Sequence, residues 1–208
     1  MALKLYGVLR SRATRPVWTA MELGLDFEHV PVMQAYRLKD PAAADAPLNT
    51  ASPAFQAVNP NGLIPSMEDD GFVLHESFAI SLYLARRHGG PLSPQGVQEE
   101  GLTAMWSLWG RGLEGDALDV LQKRDPDAAA ARLRAPLAVL DAALGDGGGY
   151  LVGGRFTVAD INLAEVLRYA QGAKSLFEAA PRVGAWIAAC QSRPAFQAMM
   201  RLRDAEPA

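Results

Sequence analysis

The segment from residue 64 to residue 87 constrains the fold more strongly than any other part of the sequence. Two short apolar runs, Ile64–Glu68 and Phe72–His75, are joined by Asp69-Asp70-Gly71. An Asp-Gly pair between two such runs is a strong signal for a β-hairpin. A helical pattern then runs from Glu76 to Arg87. We therefore predict two strands followed by a helix in this part of the chain.

A second pattern of alternating elements comes before this hairpin. Ala2–Tyr6 and Phe27–Val32 have the composition of strands, and the helical stretch Arg15–Leu23 lies between them. Such a βαβ unit normally joins two parallel strands through a right-handed crossover. A short helical turn is predicted at Pro53–Ala57, within a proline-rich loop. The order βαβ, loop with short helix, ββα predicts a four-stranded mixed sheet.

The chain changes character after residue 87. Residues 88–96 (H-G-G-P-L-S-P-Q-G) are rich in glycine and proline, as linkers often are, and the patterns that follow are helical. We predict an α/β domain at 1–87, a linker at 88–96 and an all-helical domain at 97–208. Its predicted helices are Val97–Gln122, Asp127–Leu144, Thr157–Ala170, Pro181–Ser192 and Ala195–Leu202.

Composition excludes several classes of protein. The net charge of the 208-residue chain is −3, without a basic cluster, so we do not expect a nucleic-acid partner. Apolar runs stay far below the roughly 18 residues that span a bilayer, so we expect no membrane segment. Cys190, the single cysteine, is predicted to be a buried core thiol in a protein of the reducing cytoplasm. His29, His75 and His88 lack the spacing of metal ligands, and no metal is predicted.

Glu76 and Ser77 are the strongest candidates for binding a ligand. They open a helix directly after a strand, where backbone N–H groups and a serine hydroxyl favour an anion. The carboxylate of Glu76 can hold an ammonium group, so the pair can grip both ends of an amino acid. Pro65 has no backbone N–H to donate to a neighbouring strand. It suits a turn in which the backbone of the preceding residue, Ile64, is not used in sheet pairing. Taken singly, Glu76 and Ser77 also fit an ordinary helix start.

The segment N-P-N-G-L-I-P-S-M-E-D-D-G-F-V-L-H-E-S resembles the glutathione-binding half of the cytosolic glutathione S-transferases, and the likeness extends over nearly the whole chain. The resemblance implies a thioredoxin-like first domain and a cis bond between Ile64 and Pro65. It also implies that the Ile64 backbone pairs with the cysteinyl part of glutathione and that Glu76 and Ser77 hold the γ-glutamyl end. Leu63 and Pro65 are also assigned to glutathione binding by the resemblance, with Leu63 at the place where relatives often use glutamine near the glycine end of glutathione.

A second likeness concerns the group that ionises the glutathione thiol. The stretch L-Y-G-V-L-R-S-R-A-T-R-P-V-W resembles serine-type, bacterial-like members, in which a serine lies four residues before a basic residue, here Ser11 and Arg15. A free thiol has a pKa of roughly 8.5, and a hydroxyl that donates to the thiolate lowers it. Two alternatives stay open: Ser11 caps the first helix, or Tyr6 is the donor, as in tyrosine-type members. Thr14 is predicted to cap the helix, with Pro16 in its first turn.

Two further predictions concern the helical domain. Thr157 and Asp160 have the spacing of a capping box, for which we expect a structural role. The resemblance implies that the helix carrying Met105 and Trp109 lines a pocket for the electrophile. Trp106 and Trp109, three positions apart on the same helix, also fit core or dimer contacts, which are the commoner role of such a pair.

The resemblance implies a homodimeric detoxification enzyme. It would bind reduced glutathione and add the sulfur to a small hydrophobic electrophile. A serine in place of cysteine near residue 11 argues against thiol-reductase chemistry. Two alternatives are a glutathione-dependent isomerase, peroxidase or dehalogenase, and a binding module without catalysis.

Overall fold

The computed structural model describes residues 3–206, which form two compact units. The first unit contains the chain up to Arg87 and the chain from Pro194 onward, and the second unit is His88–Arg193. The predicted linker, 88–96, thus groups with the second unit. The last helix groups with the first unit and not with the preceding helices, although we predicted one helical domain over 97–208.

The first unit contains a four-stranded mixed sheet, as predicted. The strands follow the spatial order β2-β1-β3-β4, with β1 parallel to β2 and both remaining pairs antiparallel. Ala2, the predicted first residue of β1, lies outside the described residues. The strands are β1 (Leu3–Tyr6), β2 (Glu28–Val30), β3 (Ser66–Asp69) and β4 (Phe72–His75).

The predicted hairpin is present, but its loop has two residues, because Asp69, predicted as part of the joining segment, is the last residue of β3. Asp70 has a φ of 49° and Gly71 a φ of 86°, and a type I′ turn requires positive φ at both central residues. The predicted start of β3 at Ile64 was wrong, because the ladder begins at Ser66. Pro65 has no N–H to donate, so the sheet pairing begins after it.

Three α-helices begin in the first unit before residue 89: α1 (Thr14–Glu22), α2 (Pro53–Gln56) and α3 (Ser77–His88). The prediction that Thr14 caps α1 was wrong. Ala13 holds the cap position without a side-chain bond, and Thr14 is the first helical residue, with its hydroxyl donating to the Ser11 carbonyl at 3.2 Å. Pro16 therefore lies in the first turn, where the missing N–H has no helical partner to lose.

The second unit is helical and is built around α4 and α6. The capping box predicted at the start of α6 is present, and every residue of that helix is buried. Helix α4 packs against both α5 and α6. The sequence patterns did not predict α7. The helices are α4 (Gly96–Leu121), α5 (Pro126–Asp146), α6 (Val158–Leu167), α7 (Lys174–Ala179) and α8 (Pro181–Gln191).

The last helix, α9 (Pro194–Ala205), belongs to the first unit because it packs along α1. The rings of Trp18 and Phe196 meet edge to face, with centroids 4.9 Å apart, and both side chains are buried. Burial of two aromatic side chains is a large stabilising contribution, and the edge-to-face geometry adds to it. Among residues 3–206, no helix combines the length and apolarity that a membrane span needs.

Candidate active site

The turn before β3 leaves a backbone segment without a partner. The peptide bond between Ile64 and Pro65 is cis, as the resemblance implied. Within residues 3–206, neither the N–H nor the carbonyl of Ile64 makes a hydrogen bond. Gly7 lies against this turn with a φ of 128°, and a Cβ there would stand 3.0 Å from the Ile64 Cβ. Only a glycine suits this approach, and it leaves the Ile64 backbone able to pair with an extended ligand.

Asn59 fixes the loop that leads into this turn. Its buried side-chain amide donates to the Leu63 carbonyl at 2.7 Å and to the Ser66 hydroxyl at 3.0 Å. The side chain of Leu63 is 61% exposed. Because it is a hydrocarbon, it cannot donate a hydrogen bond to a ligand carboxylate.

Glu76 joins β4 to α3 in an unusual backbone conformation. Its φ is 70°, in the left-handed region that non-glycine residues seldom adopt. Its carbonyl accepts the Ile80 N–H at 2.9 Å, so Glu76 caps the helix while its own side chain stays exposed. The first N–H groups of α3 have no partner inside the helix and are available to an anion. Residues held in such conformations cluster at ligand-binding sites.

Arg15 lies beneath this helix start. Its side chain is fully buried, and its Nη1 donates to the hydroxyl of Ser77, which is itself buried. The Arg15 Cζ also lies 3.9 Å from the centre of the Phe78 ring, as in a cation–π contact. A positive charge here adds to the positive end of the α3 dipole and favours an anionic ligand. From the sequence, Arg15 was recognised only as the basic residue that follows Ser11.

Ser11 lies in the turn that precedes α1. Its Oγ donates to the Val8 carbonyl at 2.6 Å and accepts the Ala13 N–H at 3.0 Å. The oxygen is thereby held in place, while rotation about the Cβ–Oγ bond can direct the proton elsewhere. Ser11 is half-buried, and α1 begins three residues later, so Ser11 is not the cap of that helix.

The hydroxyl of Tyr6 is engaged in a different contact. It donates to Glu68 Oε2 at 2.9 Å, and the ring is buried among Val32 and Phe55. Burial, followed by the hydrogen bond to Glu68, raises the pKa of Tyr6 to about 12. A phenol with this pKa stays protonated at physiological pH, and its proton is committed to a carboxylate.

One positioning contact could not be seen in the sequence. The Nε2 of His29 lies 2.8 Å from the Gly7 carbonyl, and because a carbonyl only accepts, the ring must donate. This hydrogen bond holds Gly7 in place against Ile64. No local pattern pairs a strand histidine with a carbonyl 22 residues earlier.

The predicted pocket residues of the second unit lie on α4. Met105 is 47% exposed, while Trp109 is half-buried and meets Trp106 edge to face at 5.3 Å. In the part of the chain that the structure describes, no group of three or more His, Cys, Asp or Glu side chains is placed to hold a metal.

Comparisons with known proteins agree on one family. The family described as "Glutathione S-transferase, N-terminal domain" matches residues 5–92, and "Glutathione S-transferase, C-terminal domain" matches residues 99–189. A glutathione S-transferase of Hyoscyamus muticus is 32% identical, with 94% of this chain and 96% of the relative covered.

Solved structures with similar folds include two glutathione S-transferases. The theta class glutathione S-transferase of Xanthomonas axonopodis pv. citri, solved with glutathione bound, is 29% identical with a TM-score of 0.73, covering 94% of this chain and 95% of that one. Maize glutathione S-transferase I, in complex with an atrazine glutathione conjugate, is 26% identical with a TM-score of 0.81, and 99% of each chain is covered.

Proposed function

This chain belongs to the glutathione S-transferase family, and we propose that it conjugates reduced glutathione to small hydrophobic electrophiles through a thiolate stabilised by Ser11. The observation that carries the proposal is the set of groups that one unit presents for an amino-acid-like ligand. These are the cis turn at Ile64-Pro65, the left-handed Glu76 and the Ser77 hydroxyl above the buried Arg15.

Glutathione lies, on this proposal, across the edge of the first unit. Its γ-glutamyl carboxylate binds the N–H groups at the start of α3 and the Ser77 hydroxyl, with the charge of Arg15 behind them. Its γ-glutamyl ammonium pairs with the exposed carboxylate of Glu76. The cysteinyl residue then runs along the unpaired backbone of Ile64, as an added strand does at a sheet edge.

Ser11 is the better donor for the thiolate. Its oxygen is held by the Ala13 N–H, so a rotation about one bond redirects its proton from the Val8 carbonyl to a sulfur. Tyr6 would have to give up a hydrogen bond to a carboxylate, which is stronger than the bond that Ser11 makes to a carbonyl, and its side chain is part of the buried cluster with Phe55. A hydrogen bond to the charged form of the thiol lowers its pKa and raises the thiolate fraction at neutral pH.

The reaction follows from the thiolate. The sulfur attacks an electrophilic carbon, a carbon–sulfur bond forms, and a leaving group such as halide departs with the electron pair of the broken bond. The thiol proton passes to solvent before the attack. We assign binding of the electrophile to Met105 and Trp109, whose apolar side chains are partly exposed on α4. Holding both reactants in contact supplies much of the rate.

We further propose that the enzyme is a cytoplasmic homodimer. Several large apolar side chains are exposed on its elements, among them Val97 and Leu108 on α4, Val139 on α5 and Phe72 on β4. Burial of such side chains against a second copy would stabilise a dimer. The single cysteine, Cys190, is buried, and a chain with no internal disulfide suits a reducing compartment. Sedimentation equilibrium tests the dimer, and a monomer at all concentrations contradicts it.

Conjugation assays test the activity. The protein is incubated with glutathione and a panel of electrophiles, comprising activated aryl chlorides, epoxides, unsaturated carbonyls and organic hydroperoxides, and products are identified by mass. We expect thioether conjugates and a large loss of their formation in Ser11→Ala. Formation of glutathione disulfide or rearranged substrate in place of conjugates would contradict the proposal and favour a peroxidase or isomerase.

A further inference from the structure

A glutamate near the end of the described chain binds the turn that carries Ser11. Glu206 Oε1 accepts the Leu9 N–H at 2.8 Å, and its Oε2 accepts the Arg10 N–H at 3.1 Å. The Arg10 guanidinium also donates to the Glu206 carbonyl at 3.3 Å. All three contacts join residues of the first unit that lie almost 200 positions apart in sequence.

The bond to Leu9 acts on the same peptide group that receives the Ser11 hydroxyl. The carbonyl of Val8 and the N–H of Leu9 belong to one planar unit, which rotates as a whole. Ser11 donates to that carbonyl on one side, and Glu206 accepts from that N–H on the other. The carboxylate of Glu206 therefore fixes the orientation of the peptide plane against which Ser11 is set.

The backbone of this turn has few other restraints. Residues 9–13 lie outside any helix or strand, so regular ladders do not hold them. Hydrogen bonds from backbone N–H groups to a carboxylate are stronger than those between neutral groups. Glu206 satisfies two successive N–H groups with one side chain, which fixes the Val8–Leu9 and Leu9–Arg10 peptide planes.

We infer that Glu206 is a positioning residue for glutathione ionisation, holding the Val8–Arg10 backbone so that the Ser11 hydroxyl reaches the thiolate. The inference rests on the proposed role of Ser11. Helix α9 accordingly has a function beyond packing, because Glu206, the residue that follows it, brings a carboxylate to the turn before α1.

The sign of the effect separates positioning from simple electrostatics. Removal of a nearby negative charge makes a thiolate easier to form, which lowers the pKa of the bound thiol. Loss of the Ser11 position removes a hydrogen bond to the thiolate, which raises that pKa. If the pKa of the bound thiol rises when Glu206 is removed, positioning of Ser11 is therefore the larger effect.

The experiment is a pH titration of thiolate absorbance for glutathione bound to the full chain. It compares the wild type, Ser11→Ala, Glu206→Ala and Glu206→Gln. We expect the pKa of the bound thiol to rise by about half a unit to one unit in Glu206→Ala, which reduces the thiolate fraction below that pKa roughly threefold to tenfold. Glu206→Gln keeps one acceptor oxygen, and we expect an intermediate rise.

The KM for glutathione provides the second readout. It should change less than about twofold in the Glu206 variants, because Glu76 and Ser77 bind the other end of the ligand, whereas kcat below the thiol pKa should fall with the thiolate fraction. Asp204→Asn is the matched control. Asp204 lies two residues before Glu206, in the last turn of α9, and its carboxylate pairs with the adjacent Arg203, so its removal should leave both readouts unchanged.

Each outcome decides one claim. If Ser11→Ala raises the thiol pKa but both Glu206 variants leave it unchanged or lower it, the positioning role is overturned and the proposed function stands. If Ser11→Ala itself has no effect, the proposed role of Ser11 fails, whatever the Glu206 variants show. If Glu206→Ala does not fold, Glu206→Gln, which keeps the length of the side chain, decides the question.

Discussion

The buried guanidinium of Arg15 donates from Nη1 to the hydroxyl of Ser77 and so ties the first turn of α1 to the first residue of α3. These two helix starts carry the two ends of the proposed glutathione site, with Ser11 before α1 and Glu76 before α3. Because Arg15 has no exposed surface, its charge is screened only weakly by solvent. The contact between Arg15 and Ser77 therefore links recognition of the γ-glutamyl group at α3 to placement of the thiol donor before α1.

Replacement of Ser77 by alanine should weaken glutathione binding. The change removes one hydrogen bond to the γ-glutamyl carboxylate, and bonds to charged groups contribute about 1.5–3 kcal/mol. We expect the KM for glutathione to rise on the order of tenfold or more, with kcat at saturating glutathione altered much less. Steady-state kinetics with varied glutathione measure both.

The control for this variant is Ser81→Ala. Ser81 is also a buried serine of α3, but it lies one turn further along and contacts Thr19 Oγ1 at 3.1 Å. Its removal should leave the KM within about twofold of the wild type, because Ser81 lies beyond the N–H groups at the helix start. Equal effects from both variants would mean that Ser77 acts through the packing of α3 and not through the ligand.

Tyr6→Phe should leave the ionisation of bound glutathione intact. The change removes the hydroxyl that donates to Glu68 but keeps the ring that packs with Phe55. We expect the pKa of the bound thiol to be unchanged and the free energy of unfolding to fall by about 1 kcal/mol from the lost hydrogen bond. A rise in thiol pKa as large as that in Ser11→Ala would transfer the donor role to Tyr6.

The pair of Glu99 and Arg155 should make stability depend on pH in the acidic range. Arg155 donates to both carboxylate oxygens, at 3.0 and 2.6 Å, and with help from the Gln95 N–H it lowers the pKa of Glu99 from 4.5 to about 2. A carboxyl whose pKa is lowered by folding stabilises the fold above its unfolded pKa and loses that contribution as pH falls towards the folded value.

The measurement for this pair is a double-mutant cycle in urea at several pH values. Glu99→Gln, Arg155→Gln and the double variant isolate the interaction from the titration of other groups. We expect a coupling energy that is constant above about pH 5 and declines between about pH 4.5 and pH 2. A coupling energy that stays constant over that range would contradict the assignment.

Asp160 should be among the most important side chains for the stability of the second unit. Its buried carboxylate accepts the Leu151 N–H at 3.2 Å, the Thr157 N–H at 2.8 Å, the Thr157 hydroxyl at 3.0 Å and the Trp186 indole N–H at 2.9 Å. Asp160→Ala leaves these buried donors unpaired, and we expect a loss of about 3 kcal/mol or more in urea unfolding.

Two further variants serve as comparisons for the loss of stability in Asp160→Ala. Trp186→Phe removes a single donor but leaves the carboxylate and its other partners, so it should destabilise by less than Asp160→Ala. Asp127→Ala changes an exposed aspartate at the start of α5, where only a small dipole effect of about 0.3–1 kcal/mol is expected. A loss below about 1 kcal/mol in Asp160→Ala would show that water replaces the carboxylate.

Local sequence signals predicted the parts of the fold that short-range geometry determines. The Asp70-Gly71 turn depends on two residues that accept positive φ, and the capping box depends on Thr157 and Asp160, three positions apart. The start of β3 was predicted two residues too early because Ile64 and Pro65 were counted within the strand. Thr14 was mistaken for a cap because the side chain of Ser11 already satisfies the Ala13 N–H in the preceding turn.

Contacts between distant residues could not be predicted from these patterns. Arg15 and Ser77 lie 62 positions apart, and Leu9 and Glu206 lie 197 apart. The grouping of α9 with the first unit depends on packing against Trp18, and an amphipathic pattern does not reveal which surface a helix will cover. The candidate ligand groups were visible in sequence, while the residues that hold them in place were not.

The most direct test of the central claim is the pKa of the glutathione thiol when bound to the wild type and to Ser11→Ala. Thiolate absorbance is followed against pH, with glutathione saturating and free glutathione as the reference. We predict that the wild type lowers the pKa below the roughly 8.5 of a free thiol and that Ser11→Ala returns it towards that value. An unshifted pKa in the wild type, or a lowered pKa that persists in Ser11→Ala, would contradict the account.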